Sequence, residues 1–238
     1  MLNTKSLREQ VYEYLRDEIS NRNLLPGATI NINEISRQLG ISKTPLRDAI
    51  IQLEIEGFVT ILPRRGVTVK KLALQEIKDS YEIVGALEGS IILNDFDKIK
   101  RSHIDRMEKL NARQLTALNR KEYDNYYKLN LDFHNVFLDL SGNKSLKSIV
   151  RPYKQRLYDF PRRGYIEEWE LNNCKEHDQF IELIKRKDRL GAAEILRDVH
   201  WSFVVQEKHI RRFYPNAGGL DSLCLLYTSD AADDLYSV

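Results

Sequence analysis

The chain has 238 residues, of which 42% are hydrophobic and 30% are charged, and its formal net charge is +2. This composition is typical of a globular protein of one or two domains. No apolar run approaches the roughly 18 residues needed to cross a bilayer, and the first ten residues lack the apolar stretch of a secretory signal. Two scattered cysteines, Cys174 and Cys224, cannot form a disulfide framework. We therefore expect a cytoplasmic protein without a membrane partner.

The first 70 residues predict three short helices followed by a β-hairpin. Apolar side chains recur every four residues from Leu7 to Ile19, which indicates a first helix. Turn and capping residues separate it from the next two helices. The predicted elements are a helix over 6–22, a short helix capped by Asn31 or Asn33, a helix from Ser42 to about Glu56, and β-segments at 58–62 and 67–69. This order is the outline of a winged helix-turn-helix.

The rest of the chain predicts helices only, so the expected fold class is mainly α: an N-terminal winged helix-turn-helix and a C-terminal all-α helical bundle. The helical pattern favours segments near 75–95, 97–119, 121–141, 144–159, 166–187 and 189–211. We expect a DNA-binding domain over 1–70, a linker over 71–74, and an effector-binding and dimerisation domain over 75–213. The segment 214–238 breaks the helical pattern and resembles translated adapter sequence, so we expect it to be non-native or disordered.

Cationic residues gather where a helix-turn-helix would meet DNA. Residues 1–72 carry 11 Lys and Arg against 8 Asp and Glu, which is a mild excess. Lys43 and Arg47 are one helical turn apart, so they point the same way and can reach base edges or phosphates together with Thr44. Arg64 and Arg65 lie at the predicted hairpin tip beside Gly66, where they suit the minor groove or the backbone. Each residue alone is typical of a solvated surface, but the cluster favours DNA binding.

Two stretches of this region resemble the GntR family of transcription regulators. They are LREQVYEYLRDEISNRNLLPGATININEISRQLG and ISKTPLRDAIIQLEIEGFVTILPRRGVTV, which together cover about residues 5–70. The resemblance implies a homodimer that binds a palindromic double-stranded DNA operator. It also implies operator contacts from Asn33, Lys43, Arg47, Arg65 and Gly66. Many members have Arg where this chain has Lys43, so the bidentate contact of a guanidinium is lost there.

Three of the five histidines have spacings that suggest a shared site. His134 follows Asn130 by one helical turn, so both face the same way. His177 lies 11 residues before Asp188 and His200 lies 12 residues after it, which gives similar heights in an antiparallel helix pair. Neutral imidazole is the commonest protein ligand for zinc and related metals, and helical bundles build metal sites from facing helices. A lone histidine is more often structural, and spacing alone leaves the two interpretations about even.

The C-terminal region resembles the FCD effector domain of the FadR subfamily. The resemblance is carried by NLDFHNVFLDLSGN and EHDQFIELIKRKDRLGAAEILRDVH and covers about residues 74–212. It implies a divalent metal ion (Zn, Ni or Mn) and a small organic or sugar acid as effector. The implied ligands are Asn130, where Asp is commoner, with His134, His177 and His200. Members often carry Arg where this chain has Val84; Arg156 or Tyr81 could anchor the effector instead.

These patterns are compatible with three functions. The first is a ligand-responsive DNA-binding regulator that is not an enzyme. The second is a metal-dependent hydrolase with an accessory DNA-binding domain, because an open metal site can activate water. No HExxH motif, nucleophile elbow or Gly-rich phosphate loop supports it. The third is a helical scaffold whose histidines bind nothing.

Overall fold

The computed structural model describes residues 5–21, 23–159 and 165–214. The predicted fold class is confirmed: a small three-helix module with a sheet precedes a domain built from helices. The tail predicted over 214–238 lies outside the described residues except for Tyr214. That residue is buried, and its hydroxyl donates to the backbone carbonyl of Leu157. Within the described residues, no helix is both long and apolar enough to cross a membrane.

The N-terminal module is a winged helix-turn-helix with one strand more than the sequence predicted. Its elements are α1 Leu7–Ser20, β1 Thr29–Ile30, α2 Ile32–Leu39, α3 Lys43–Ile55, β2 Val59–Leu62 and β3 Gly66–Val69. Ser6 and Glu9 cap α1 reciprocally, and Asn31 caps α2 by accepting from two backbone N–H groups. The antiparallel sheet has the order β1-β3-β2, with Val59 opposite Val69 and Leu62 opposite Gly66.

The C-terminal domain is built from helices that are joined by short turns. Its elements are α4 Leu74–Asp95, a 3₁₀ turn Phe96–Lys98, α5 Arg101–Asn119, α6 Tyr123–Leu138, α7 Lys144–Asp159, α8 Glu167–Lys185, α9 Arg189–Glu194, a π-helical turn Ile195–His200 and α10 Phe203–Phe213. Large aromatic side chains fill the core between α6 and α8, among them Phe133, Phe137 and Phe180, all nearly inaccessible to solvent. This packing fixes the distance between the two helices.

The single helix predicted over 189–211 is wrong. The segment divides into α9, the π-helical turn and α10, with a break at Trp201 and Ser202. Ser202 has extended backbone dihedrals, and its hydroxyl accepts from the N–H of Val205, so it caps a new helix. Helix propensity alone did not reveal this break because the apolar periodicity continues through it.

The two parts of the protein share one hydrophobic core. The buried side chains of α1 and α3, such as Leu15 and Leu53, belong to the same cluster as Leu157 of α7 and Ile210 of α10. The connecting segment is also tied down, because Leu72 is buried and Lys70 pairs with Glu76. The DNA-binding module therefore packs directly on the helical domain.

Candidate DNA-binding surface and candidate metal centre

The outer face of α3 presents the residues that the sequence singled out. Leu46, Ile50 and Leu53 point inward and are buried, while Lys43, Thr44 and Arg47 are exposed. Asn33, in the first turn of α2, is exposed as well. The module therefore uses its apolar side chains for its core and leaves its polar side chains accessible for a partner.

The β2–β3 hairpin forms a wing whose tip carries two arginines. Arg64, Arg65 and Gly66 are all exposed, and Arg64 and Gly66 both have positive φ angles, of 62° and 97°. Within the described residues, no carboxylate forms an ion pair with Arg64 or Arg65, nor with Lys43 or Arg47 on α3. These cations therefore remain available for the phosphates of a duplex.

The structure brings the three predicted histidines together. His134 on α6, His177 on α8 and His200 in the π-helical turn are all buried, and one ring nitrogen of each lies within 4.8 Å of those of the other two. The Nε2 atoms of His134 and His177 are buried without a hydrogen-bond partner among the described residues. Unpaired buried nitrogens are costly unless something binds them.

Each histidine is oriented by an acceptor on its other nitrogen. The Nδ1 atom of His134 lies 2.8 Å from Glu88, that of His177 lies 3.2 Å from Asn111, and that of His200 lies 2.7 Å from Glu176. All three partners present an oxygen, so Nδ1 carries the proton and Nε2 keeps its lone pair. Such oriented imidazoles are the usual ligand set of zinc and its neighbours, so the donor set fits a divalent metal ion.

Two of the histidines, His134 and His177, are held neutral by their surroundings, as metal ligands must be. Burial lowers the pKa of His134 to about 3, although Glu88 opposes the shift. Burial also lowers the pKa of His177 well below its ordinary value, and the neighbouring His200 adds to this. Both rings are therefore uncharged near neutral pH and compete poorly for protons against a metal.

Glu88 on α4 is the hub of the surrounding hydrogen bonds. Its fully buried carboxylate accepts from His134, from the ammonium of Lys154 at 2.6 Å and from the indole of Trp201 at 2.8 Å. Burial opposes ionisation, but His134 and Lys154 together hold the pKa of Glu88 below its ordinary value. Burial lowers the pKa of Lys154 to about 8, with Glu88 opposing the shift. Helices α4, α6 and α7 are thus joined by one charged network.

The π-helical turn places His200 and Trp201. The backbone N–H of Trp201 donates to the carbonyl of Leu196, five residues earlier, at 2.9 Å. Such a turn carries one more residue than an α-helical turn, and turns of this type often occur at functional sites. The wider turn directs His200 toward His134 and His177, whose ring centroids lie 5.1 Å and 5.0 Å from that of His200.

The remaining predicted site residues have different positions. Asn130 is buried on α6, one turn before His134, and its amide oxygen accepts from the hydroxyl of Tyr158 at 3.1 Å. Tyr81 lines a pocket that borders His200 and meets Trp201 edge to face. Arg156 does not line that pocket. Its guanidinium donates to Ser80 and lies against Gly57, at the contact with the DNA-binding module.

Sequence reasoning missed the partners of the histidines. Glu88 follows Ile77, Tyr81 and Val84 at helical spacing and precedes Ile91, so it occupies a core position of an apolar stripe. A carboxylate in such a position must find charged or hydrogen-bonding partners, and that signal could have singled it out. The same signal marks other buried polar residues on apolar faces: Asn111 between Met107 and Leu118, and Lys154 between Val150 and Leu157.

A winged helix-turn-helix with accessible cations, packed on a helical domain, defines a two-domain DNA-binding regulator. Residues 7–69 match the gntR family of bacterial regulatory proteins, and residues 79–200 match the FCD domain. The chain therefore belongs to the GntR family of transcription regulators and carries an FCD domain.

Known proteins agree with this assignment. The chain is 27% identical to the HTH-type transcriptional repressor RspR of Escherichia coli over 138 residues, which are 58% of this chain and 60% of that relative. It is 25% identical over 187 residues to the uncharacterized HTH-type transcriptional regulator YdhC of Bacillus subtilis, covering 78% of this chain and 84% of YdhC. Its fold resembles the structure of McbR/YncC of E. coli, with a TM-score of 0.68 and 19% identity over 90% of this chain and 99% of that one.

Proposed function

We propose that the protein is a dimeric, ligand-responsive regulator that binds a palindromic operator and senses a small carboxylate at a metal-containing pocket. It would act in the cytoplasm, where its DNA partner lies. The histidine cluster is the observation that supports the sensing role. The Nε2 atoms of His134 and His177 have no hydrogen-bond partner among the described residues, whereas their Nδ1 atoms are bonded to Glu88 and Asn111. A metal ion would satisfy these nitrogens and supply open coordination positions for an acid.

Three histidines are the proposed ligands, and Asn130 is the proposed fourth. Its amide oxygen is neutral, so the four donors carry no charge and the site would hold Zn, Ni or Mn less tightly than one with a carboxylate. The amide oxygen of Asn130 already accepts from Tyr158, so its second lone pair would bind the metal. The bound metal would act as a Lewis acid that polarises and fixes the effector's oxygens.

Helix α7 is the proposed connection between the pocket and the DNA-binding module. It places Lys154 on Glu88, inside the histidine network, and two residues later it places Arg156 on Ser80 and Gly57. Gly57 directly follows the C-cap of the recognition helix α3. An effector that prefers one position of α7 would shift the population of DNA-binding arrangements. Arg156 would then transmit the signal rather than anchor the effector.

The hydrolase alternative gains no support. Glu88 and Glu176, the carboxylates bonded to the cluster, each accept from a histidine Nδ1 and thus face the outer nitrogens. Neither is placed as a general base for a metal-bound water. The two relatives RspR and YdhC are both described as transcriptional regulators.

A thermal-shift screen of organic and sugar acids, run with and without added divalent metal, tests the sensing role. An acid present at a hundredfold excess over its Kd should stabilise the protein by about 2.7 kcal/mol. The His134→Ala variant should lose both metal and acid stabilisation. The His103→Ala variant, whose ring lies outside the cluster, should keep both. If His134→Ala retains the acid response, the pocket assignment is wrong.

Operator binding is tested separately with two arginine variants. Arg47→Ala should weaken binding to the operator far more than binding to random DNA, because a base contact carries sequence information. Arg65→Ala should weaken both by similar factors and reduce the salt dependence of binding. Arg113→Ala on α5, which is also exposed, is the matched control and should change neither. Negligible losses from Arg47→Ala and Arg65→Ala would refute the proposed docking face.

A further inference from the structure

The pocket beside His200 differs from what a sugar-acid sensor would need. Of the eleven described residues that line it, seven are aromatic, and they come from α4, α6, α7, α8, α10 and the end of the π-helical turn. His200 is the one cluster histidine among them, so the pocket opens onto the proposed metal site from one side. Its walls are therefore mostly ring surface.

The polar atoms of five of these aromatic side chains already have partners within the protein. The indole N–H of Trp201 donates to Glu88 at 2.8 Å, and that of Trp169 donates to Gln206 at 2.7 Å. The hydroxyl of Tyr158 donates to Asn130, that of Tyr127 to Glu170, and that of Tyr214 to Leu157. What these five side chains present to a ligand is mainly ring carbon, and the remaining tyrosine hydroxyl of the lining is that of Tyr81. A polyhydroxylated acid would therefore leave most of its hydroxyls without partners there.

The pocket encloses about 410 Å³ of empty space, a volume that includes its mouth. The offset and edge-to-face contacts that aromatic rings prefer are available from Tyr81 and Trp201, whose ring centroids lie 5.3 Å apart at 66°.

We infer that the effector is a small aromatic carboxylate, whose carboxylate binds on the His200 side and whose ring lies among the pocket aromatics. This inference rests on the proposed metal-dependent sensing and narrows its ligand class. The carboxylate supplies the oxygen donors that a metal ion held by three imidazoles still accepts. The ring would lie among the aromatic side chains of the lining, and its planar faces match the surrounding rings.

Tryptophan fluorescence of the full-length, Zn²⁺-loaded protein reports on this pocket directly. The chain has two tryptophans, and both, Trp169 and Trp201, line the pocket. Titrations should compare benzoate with cyclohexanecarboxylate, which has a saturated ring of similar size, and with gluconate. Benzyl alcohol tests the need for the carboxylate. Benzoate should bind up to about tenfold more tightly than cyclohexanecarboxylate and gluconate, the factor expected for lost ring contacts. It should also bind more tightly than benzyl alcohol, which keeps the ring but lacks the carboxylate.

A pair of variants tests whether the preference for benzoate over cyclohexanecarboxylate arises from the aromatic lining of the pocket. Phe213→Leu keeps an apolar side chain but removes a ring, so it should reduce the preference for benzoate over cyclohexanecarboxylate severalfold without releasing the metal. Phe96→Leu removes a ring outside the pocket and should leave the preference unchanged. Equal or tighter binding of gluconate or cyclohexanecarboxylate, or binding of none of the acids, would overturn the inference.

Metal content separates this failure from failure of the proposed function. If the purified protein binds zinc through His134 but prefers gluconate, the aromatic class is wrong while metal-dependent sensing stands. If it binds no zinc and His134→Ala changes nothing, the sensing proposal itself is wrong. If benzyl alcohol binds as tightly as benzoate, the carboxylate requirement is wrong, and with it the inference.

Discussion

Glu88→Gln is the substitution that should disturb the charged network most. The change keeps the shape of the side chain but removes the negative charge that faces the ammonium of Lys154 at 2.6 Å. Lys154 is only 2% exposed, so water cannot replace the lost partner. Breaking a buried ion pair by removing one partner costs about 3–5 kcal/mol of folding stability.

Proton release sets an upper limit on this cost. Glu88 opposes the lowering of the pKa of Lys154. Without the Glu88 carboxylate, Lys154 can therefore be neutral in the folded protein. Deprotonating a lysine whose ordinary pKa is 10.5 costs about 5 kcal/mol at pH 7 and about 2 kcal/mol at pH 9. The unfolded chain then binds one proton more than the folded variant, so the variant's stability rises with pH. Its defect relative to the unsubstituted protein should therefore be smaller at pH 9 than at pH 7.

Urea denaturation of the metal-free protein at both pH values measures these differences. The double variant Glu88→Gln, Lys154→Met removes the unpaired ammonium and should recover most of the stability. Both variants should bind metal about 10- to 100-fold more weakly, because the acceptor that orients His134 loses its negative charge. Glu82→Gln, on the exposed face of the same helix, should have no effect. A cost below about 1 kcal/mol at pH 7, or no recovery in the double variant, would refute the reasoning.

Three further predictions concern the domain contact, acid stability and the core. Gly57→Ala should reduce the folding stability by about 1–2 kcal/mol, because Gly57 has a φ of 79° and an added Cβ would lie 2.5 Å from Arg156. Urea denaturation measures this loss. Gly142→Ala is the control, because an added Cβ there meets nothing within 4 Å. The metal-free protein should lose folding stability as the pH falls below about 6.5, because the unfolded histidines take up protons that the buried ones do not. The loss should be at most about 1.4 kcal/mol per pH unit for each of His134 and His177. A denaturation midpoint that does not change with pH would contradict this prediction. Leu53→Ala, in the fully buried core of the DNA-binding module, should cost about 2–5 kcal/mol, and a cost near zero would mean that this core is not close-packed.

Elements with strong local signals were predicted from the sequence. The four-residue spacing in α1 and the alternation of Val67, Thr68 and Val69 around a turn reflect local periodicity, and those elements are found. Strand β1 was missed because it has only two residues and exists through its pairing with β3. No local pattern records a hydrogen bond to a strand that lies so far along the chain.

The site was predicted only in part for a related reason. Counting residues to the turn between their helices predicts that His177 and His200 lie at similar positions along the helix axes. In the structure their rings and that of His134 lie close together. Lys154 was not singled out, because its importance depends on which helix faces α7. Arg156 was proposed for the pocket, but two positions further along a helix point to a different side, so it meets Gly57 instead. Pairing between distant helices is what sequence patterns leave undetermined.

The π-helical turn makes the geometry of the histidine cluster depend on one surplus residue. Loss of any single residue between 195 and 199 would let the turn tighten to α-helical geometry and rotate the residues after it by about 100°. His200 and Trp201 would then leave the interior together, while the DNA-reading module and its wing would be untouched. Under the proposed function, a lineage would thus lose or regain its chemical sensitivity through one codon and keep its genomic targets throughout.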